Sequence, residues 1–166
     1  MTEKQLIAKA DKLVADLKEK NLTLGIAESC TGGWLSKIIT DVSGASSIYN
    51  GGICSYSNKI KTKLLGVNPE TLRLYGAVSE KTAAEMAEGA RKALNSDIGV
   101  GITGIAGPTS DDTEKPVGLI YIAVSDGNKT LVEELRNNFT DEIRLNNRLS
   151  AIETALTLLG GLNEKK

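Results

Sequence analysis

The stretch Leu22-Thr23-Leu24-Gly25-Ile26-Ala27-Glu28-Ser29-Cys30-Thr31-Gly32-Gly33 decides the fold. Its first half, residues 22–27, is a short apolar run of the kind that forms a buried strand, and a helical pattern opens near Thr31-Gly32. A buried strand that turns directly into a helix is typical of α/β proteins, which bind ligands at the carboxyl edge of the sheet. This segment therefore predicts an architecture and, at Ser29, a candidate site.

The alternation of strands and helices continues along the chain. Further strands are predicted at residues 48–56, 98–103, 117–125 and 130–135, the last two joined by a hairpin turn at 126–128. Helices are predicted to begin at the capping-box pattern of Thr2 and Gln5, at Asn58 (ending at Gly66), at Asn68-Pro69, at Ser79 and near Asp141, the last being closed by Gly160-Gly161. Strands alternating with amphipathic helices, plus one hairpin, predict a layered α/β domain with a mixed sheet.

Length and charge narrow the functional classes. A chain of 166 residues predicts a single domain over residues 1–166. A formal net charge of −1 provides no long-range attraction for nucleic acid. Neither an apolar leader nor a run long enough to span a membrane is evident, and two cysteines in such a chain favour free thiols in a reducing compartment. We therefore expect a cytoplasmic protein with no membrane and no nucleic-acid partner.

The composition contains no histidine. This excludes Ser-His-Asp triads, Cys-His dyads and imidazole metal sites, and two cysteines are too few for a thiolate zinc site. We therefore expect no metal and no cofactor; the alternative is a Mg²⁺ ion bound by carboxylates of Glu28, Asp111 or Asp112. Any catalysis must use carboxylates, lysine, tyrosine, hydroxyls, thiols or the backbone.

The first candidate nucleophile is Ser29, at the predicted strand-to-helix turn. The backbone N–H groups of Cys30, Thr31 and Gly32 are expected to point at the same position, where they could bind a phosphate or the oxyanion formed when Ser29 attacks a carbonyl. The alternative is that Ser29 or a neighbouring hydroxyl merely caps the helix.

The candidate base is Lys61, which follows the second predicted strand in Tyr56-Ser57-Asn58-Lys59-Ile60-Lys61. If both strands end at one edge of the sheet, Lys61 can approach Ser29. A serine nucleophile needs a base, and a desolvated lysine can serve where histidine is absent. The alternative is that Lys61 belongs to a solvated helix face.

Two further segments are candidates for substrate binding. Thr103-Gly104-Ile105-Ala106-Gly107-Pro108 takes a buried strand into a glycine-rich loop of unusual length, which raises the expectation of function. Arg144 and Arg148 lie four residues apart on the last predicted helix, where they could clamp a phosphate or form surface ion pairs.

These segments together resemble the CinA carboxy-terminal domain family, also called the nicotinamide-nucleotide amidohydrolase or nicotinamide mononucleotide deamidase family. The resemblance covers nearly the whole chain, because its motifs occur in one order: residues 27–33, Asp41-Val42 with Gly44, Gly52 with Tyr56-Ser57-Asn58 and Lys61, 65–67, 76–80, Met86-Ala87, 103–108, 114–118, and Arg144 with Arg148 before Ala155-Leu156. Co-occurrence of these segments is far more specific than any one of them.

The resemblance implies a three-layer α/β/α sandwich with a mixed, mostly parallel sheet. It implies hydrolysis of nicotinamide mononucleotide to nicotinate mononucleotide and ammonia in pyridine-nucleotide recycling, with Ser29 as nucleophile and Lys61 as base. Tyr56 is expected to steer Lys61 or the substrate ring. The expected substrate-binding residues are Cys30, Thr31, Gly32, Gly33, Thr103, Gly104, Ala106, Gly107, Arg144 and Arg148. The family also implies a homodimer, and Met1 lies directly before the domain's first helix, as in its stand-alone form.

Two alternatives to a serine amidohydrolase remain, and one loop departs from the family pattern. The chain could be a nucleotide- or phosphate-binding module without turnover, or Cys30 could be the nucleophile if the helix start lowers the pKa of its thiol. After Gly107-Pro108, where relatives usually carry glycines, this chain has Thr109-Ser110-Asp111-Asp112-Thr113. The added carboxylates either lie near an anionic substrate or face solvent.

Overall fold

A computed structural model of the protein describes residues 1–163, which build one five-stranded mixed sheet with helices on both faces. The strands are β1 (Leu24–Glu28), β2 (Tyr49–Cys54), β3 (Ile98–Gly104), β4 (Leu119–Ser125) and β5 (Thr130–Arg136). Their order across the sheet is β2-β1-β3-β4-β5. β1 pairs in parallel with β2 and β3, whereas β4 pairs antiparallel with β3 and β5. Four of these five strands therefore run in the same direction.

The helices are α1 (Glu3–Glu19), α2 (Trp34–Thr40), α3 (Asn58–Leu65), α4 (Pro69–Tyr75), α5 (Glu80–Ala93) and α6 (Ile143–Asn163), and residues Ala45–Ser47 form a single 3₁₀ turn. Alternate residues of β1 separate the two faces. Ile26 packs into the main core with α1, α2 and α6, whereas Ala27 packs with Leu65 of α3 and Met86 of α5. The predicted three-layer α/β/α arrangement is confirmed.

Two glycines allow α5 to pack unusually close to its neighbours. A Cβ on Gly101 of β3 would lie 2.4 Å from the carbonyl oxygen of Ala83, and one on Gly89 of α5 would lie 2.0 Å from that of Leu65. Both distances are far below any real Cβ contact, so a side chain there would push α5 away from the sheet or from α3.

Local signals placed most helix starts correctly. The capping box of Thr2 and Gln5 is present, and Asn68 and Ser79 cap α4 and α5. Ser57, not Asn58, caps α3, because its Oγ accepts the N–H of Ile60 at 3.3 Å. The predicted helix start at Thr31-Gly32 was also early, since α2 begins at Trp34 after a turn.

The predicted end of the last helix was wrong. Gly160 and Gly161 lie inside α6, which continues to Asn163. Each helical glycine costs roughly 1 kcal/mol relative to alanine, but Leu159 and Leu162 on either side are buried in the main core. Packing of these leucines outweighs the local preference to stop. Over residues 1–163, no helix combines the length and apolar character that crossing a bilayer requires.

Candidate active site

Ser29 lies at the carboxyl end of β1, next to the end of β3. Its N–H donates to the carbonyl of Ile102 at 3.0 Å, which continues the parallel pairing one residue beyond the strand. The residue is 9 % exposed, and it lines a cavity at this edge of the sheet. The turn after β1 thus places Ser29 at the wall of this cavity and largely out of the bulk solvent.

Lys61 reaches Ser29 from α3, the helix that follows β2. Its Nζ lies 3.0 Å from Ser29 Oγ and 2.6 Å from the carbonyl oxygen of Ser55. Only 1 % of the residue is exposed, although its neighbours Lys59 and Lys63 are exposed. The interpretation of Lys61 as part of a solvated helix face is therefore wrong.

Burial changes the protonation of Lys61. Desolvation, which disfavours the ammonium, lowers the pKa of Lys61 from 10.5 to about 8, and the nearby Cys30 only partly opposes this. Neither of its hydrogen-bond partners is a carboxylate; one is the Ser29 hydroxyl and the other a backbone carbonyl. A substantial fraction of Lys61 is consequently a neutral amine, able to accept a proton, at mildly alkaline pH.

The cavity has a volume of about 270 Å³. Nine of the residues predicted for the site line it: Ser29, Cys30, Tyr56, Lys61, Thr103, Gly104, Ala106, Gly107 and Arg144. Four further lining residues lie in the motif segments but were not predicted as site residues: Asn58, Ala77, Val78 and Ile105. The loop that departs from the family contributes Thr109, Ser110 and Asp111, so one of its two carboxylates lines the cavity.

Four residues predicted to bind substrate do not line the cavity: Thr31, Gly32, Gly33 and Arg148. Thr31 is fully buried, and the N–H of Gly32 donates to the Ser29 carbonyl at 3.0 Å, so it is not free to bind an oxyanion. Gly33, with φ +91°, occupies the N-cap position of α2. Arg148 donates to the Thr31 carbonyl at 2.9 Å and stacks on the Trp34 ring, with 4.9 Å between the guanidinium carbon and the ring centroid. These four residues support the turn that carries Ser29.

Arg144 and Tyr56 meet at the edge of the cavity. Arg144 donates through Nη2 to the Tyr56 hydroxyl at 3.1 Å and through Nη1 to the Gly107 carbonyl at 3.0 Å. Tyr56 is 65 % exposed, and its hydroxyl bonds to Arg144 and not to Lys61. The pair places a guanidinium and a phenol where an entering ligand would pass.

The environment of Cys30 contradicts its assignment as an activated nucleophile. The side chain is buried, and desolvation raises the pKa of the Cys30 thiol to about 12. Arg148 and Lys61 favour the thiolate but do not overcome this burial. Cys30 therefore carries a protonated thiol, which is a weak nucleophile.

Glu28 has a structural role that the sequence pattern concealed. Its carboxylate is buried and accepts the backbone N–H of Leu35 at 3.0 Å, and the N–H and hydroxyl of Ser36 at 2.9 Å and 2.8 Å. It thereby caps α2 from seven residues upstream, whereas local capping boxes span three residues. The cap fixes α2 to the end of β1 and so holds the Ser29 turn.

The chemistry open to this site depends on metal-binding side chains and on backbone N–H groups. Across residues 1–163, no group of three or more histidine, cysteine, aspartate or glutamate side chains is placed to hold a metal. The N–H of Thr31 has no acceptor within the same residues, whereas the N–H of Gly32 donates to Ser29 and that of Cys30 interacts with its own thiol. A buried serine and lysine thus lie beside a free backbone donor.

Comparisons with known proteins identify the same family over most of the chain. Residues 7–162 match the model of the CinA C-terminal domain. A competence-damage inducible protein of Thermoanaerobacter pseudethanolicus is 48 % identical over 154 residues, which are 92 % of this chain and 37 % of the relative. A CinA-like protein of Kosmotoga olearia is 51 % identical over 120 residues, 72 % of this chain and 29 % of the relative. The chain thus spans about a third of the length of these curated relatives.

A solved structure has the same fold over its whole length. The competence/damage inducible protein CihA of Agrobacterium tumefaciens superposes with a TM-score of 0.91 at 37 % identity, covering 98 % of this chain and 97 % of that one. Since a family model covers most of the chain and a solved relative shares both sequence and fold, the chain belongs to the CinA C-terminal domain family.

Proposed function

We propose that the protein is an amidohydrolase that converts nicotinamide mononucleotide to nicotinate mononucleotide and ammonia in pyridine-nucleotide recycling, with Ser29 as nucleophile and Lys61 as base. The observation that carries the proposal is the buried contact of 3.0 Å between Lys61 Nζ and Ser29 Oγ. A lysine without a carboxylate partner is costly to bury. Such a lysine beside a serine is the arrangement that a Ser-Lys mechanism requires.

The Ser55 carbonyl prepares Lys61 for this role. As an ammonium, Lys61 donates to both the Ser55 carbonyl and the Ser29 hydroxyl. As a neutral amine, it keeps one N–H on Ser55 and directs its lone pair at the Ser29 proton. Depression of the pKa of Lys61 to about 8 makes this second state accessible near neutral pH.

The reaction then follows from the positions of these groups. Lys61 takes the hydroxyl proton while Ser29 Oγ attacks the carboxamide carbon, and the carbonyl oxygen becomes an oxyanion held by backbone N–H groups. When the C–N bond breaks, Lys61 returns the proton to the departing ammonia, leaving a nicotinoyl ester on Ser29. Water, deprotonated by the neutral Lys61, hydrolyses the ester and regenerates the hydroxyl.

The proposed substrate rests on family resemblance together with the Arg144 guanidinium at the cavity edge. Arg144 lies at the cavity edge, where a guanidinium can pair with a phosphate. A nicotinamide nucleotide has both the carboxamide that Ser29 would attack and the phosphate that Arg144 would bind.

The deciding experiment measures ammonia release from nicotinamide mononucleotide by purified protein in the presence of EDTA. We expect turnover by the wild type that EDTA does not reduce, and none by Ser29→Ala. Binding of the nucleotide without ammonia release would instead support a nucleotide-binding module. Turnover that EDTA abolishes would replace the Ser-Lys mechanism with one that uses a metal-activated water.

A further inference from the structure

One face of α6 holds the two loops that form the site. Side chains spaced three and four residues apart share a helix face, and on this face three side chains donate hydrogen bonds to loop carbonyls. The bonds run from Arg144 to Gly107, from Asn147 to Ala106 and from Arg148 to Thr31, at 3.0, 3.0 and 2.9 Å. Because Asn147 and Arg148 are adjacent, the loop after β3 and the turn that carries Ser29 are held side by side.

Asn147 is the member of this face that nothing in the sequence pattern marked. It is 1 % exposed, and its Nδ2 donates to the Ala106 carbonyl, while its Oδ1 is buried with no partner among residues 1–163. The net stability gained from one hydrogen bond is small, and an unpaired buried acceptor costs at least as much. The Asn147 amide therefore contributes little net stability. Its effect is to hold the Ala106 carbonyl in one direction through the N–H of Nδ2.

The direction of that bond fixes the next peptide group. The Ala106–Gly107 peptide is trans, so the Gly107 N–H points opposite to the Ala106 carbonyl, away from Asn147 and from α6. Helix α6 covers one face of the sheet, and Lys61 enters the cavity from α3 on the other. The Gly107 N–H therefore points toward the side from which Lys61 enters.

Gly107 is locked in this orientation. Its φ of +75° favours glycine, and a Cβ would lie 2.3 Å from Val117 Cγ1. It lines the cavity, and its N–H has no acceptor among residues 1–163. An oriented and unused donor in the wall of a cavity can bind an oxygen atom of a ligand.

We propose that Asn147 is a positioning residue, which holds the Ala106 carbonyl so that the Gly107 N–H donates to the substrate's carboxamide oxygen. The inference rests on the proposed amidohydrolase function. Negative charge develops on this oxygen when Ser29 attacks, so the bond strengthens in the transition state and acts mainly on kcat. Asn147 itself does not touch the substrate.

The first test compares Asn147→Leu with Asn146→Leu. Leucine keeps the volume but cannot donate, and Asn146 is the matched control because its amide bonds to the Asp141 carbonyl, just before the same helix, and not to a loop of the site. Loss of an oxyanion donor lowers kcat by about 100- to 1,000-fold, and misdirection of one should lower it by roughly 10- to 100-fold. We expect that fall for Asn147→Leu with KM within about twofold, and near wild-type values for Asn146→Leu. An unchanged kcat in folded Asn147→Leu would overturn the inference.

The second test does not depend on turnover, and its first measurement does not use Asn147→Leu. In Ser29→Ala protein labelled with ¹⁵N, nicotinamide mononucleotide should move the amide proton of Gly107 downfield, and adding Asn147→Leu should remove that shift. If the nucleotide binds and the Gly107 signal stays in place, the inference is wrong while the proposed function stands. If the nucleotide is neither bound nor hydrolysed by the wild type, both fall together.

Discussion

Lys61 Nζ lies 3.0 Å from Ser29 Oγ, although 32 positions separate the two residues in the chain. The contact forms because β1 and β2 are parallel neighbours, so the segments that follow them leave the sheet at the same edge. Ser29 follows β1 directly, and α3 follows β2 after three residues. Their proximity is therefore a consequence of topology.

The pH dependence of the reaction should follow Lys61. With a pKa of about 8, roughly a tenth of Lys61 is neutral at pH 7 and nine tenths at pH 9. We expect kcat/KM to rise about tenfold across this interval and then level off. Lys61→Arg should be nearly inactive, since a guanidinium keeps its proton. Exposed Lys59→Arg and Lys63→Arg are the controls, and an active Lys61→Arg protein would leave Ser29 without its base.

Lys61 should also make the stability of the fold depend on pH. The unfolded chain retains the proton of Lys61 up to about pH 10.5, whereas the folded protein loses it near pH 8. The unfolded state therefore binds more protons in this window, and the free energy of unfolding should increase as the pH rises through it. Urea titrations at pH 7.5 and 9.5 would measure the increase. In Lys61→Met it should be smaller, and an equal increase would assign the effect to other groups.

Replacing Ser29 and Cys30 one at a time should show which of them is the nucleophile and which only packs in the core. Ser29→Ala is expected to lose turnover by several orders of magnitude while its Tm changes little. Cys30→Ala should retain most of its activity, because burial raises the pKa of this thiol to about 12, and should lose some stability through the lost packing. Ammonia release and thermal unfolding measure the two effects. The reverse pattern of activity would make Cys30 the nucleophile.

Loss of Arg144 should weaken binding of a substrate that carries a phosphate more than binding of one that does not. In Arg144→Ala we expect KM for nicotinamide mononucleotide to rise about tenfold or more, because a charged hydrogen bond is worth roughly 1.5–3 kcal/mol. The same variant should change KM for the nucleoside without phosphate much less. Arg136→Ala, on the edge strand β5, is the control. Equal losses on both substrates would show that Arg144 acts on the Gly107 loop and not on the phosphate.

Glu28 should matter for stability and hardly at all as a reacting group. Glu28→Gln replaces one acceptor oxygen with a donor that faces the N–H groups of Leu35 and Ser36, so we expect a loss of about 1–3 kcal/mol in the free energy of unfolding. Glu153→Gln breaks only the exposed ion pair with Lys9 and should cost less than about 1 kcal/mol. Comparable losses in the two variants would contradict the capping role.

Two helical glycines should respond in opposite ways to alanine. In Gly89→Ala the new Cβ meets the Leu65 carbonyl at 2.0 Å, which should cost about 2–3 kcal/mol and shift α3 together with Lys61. In Gly160→Ala nothing lies within 4 Å, so the better helix former should add about 0.5–1 kcal/mol. Thermal unfolding measures both. A neutral Gly89→Ala would mean that α3 can move without cost.

Much of the fold was predictable because its signals are local. Strand β1 is an apolar run, and the caps Thr2, Asn68 and Ser79 each satisfy N–H groups two or three residues away. The continuation of α6 through Gly160 was not predictable in this way. Its gain comes from core contacts of Leu159 and Leu162 with other elements, and no local pattern contains them.

The candidate site also has features that the sequence predicted and features that depend on contacts between distant segments. By itself, the sequence determined the family through the order of its motifs. It also predicted a lysine base, since the chain has no histidine and carries a serine at a strand-to-helix turn. Only the tertiary structure decided that Lys61 is buried while Lys59 and Lys63 are exposed, and that Arg148 supports the Ser29 turn while Arg144 lines the cavity. The physical reason is that a pKa, a cavity wall and a hydrogen bond depend on which distant segments exclude water from a side chain.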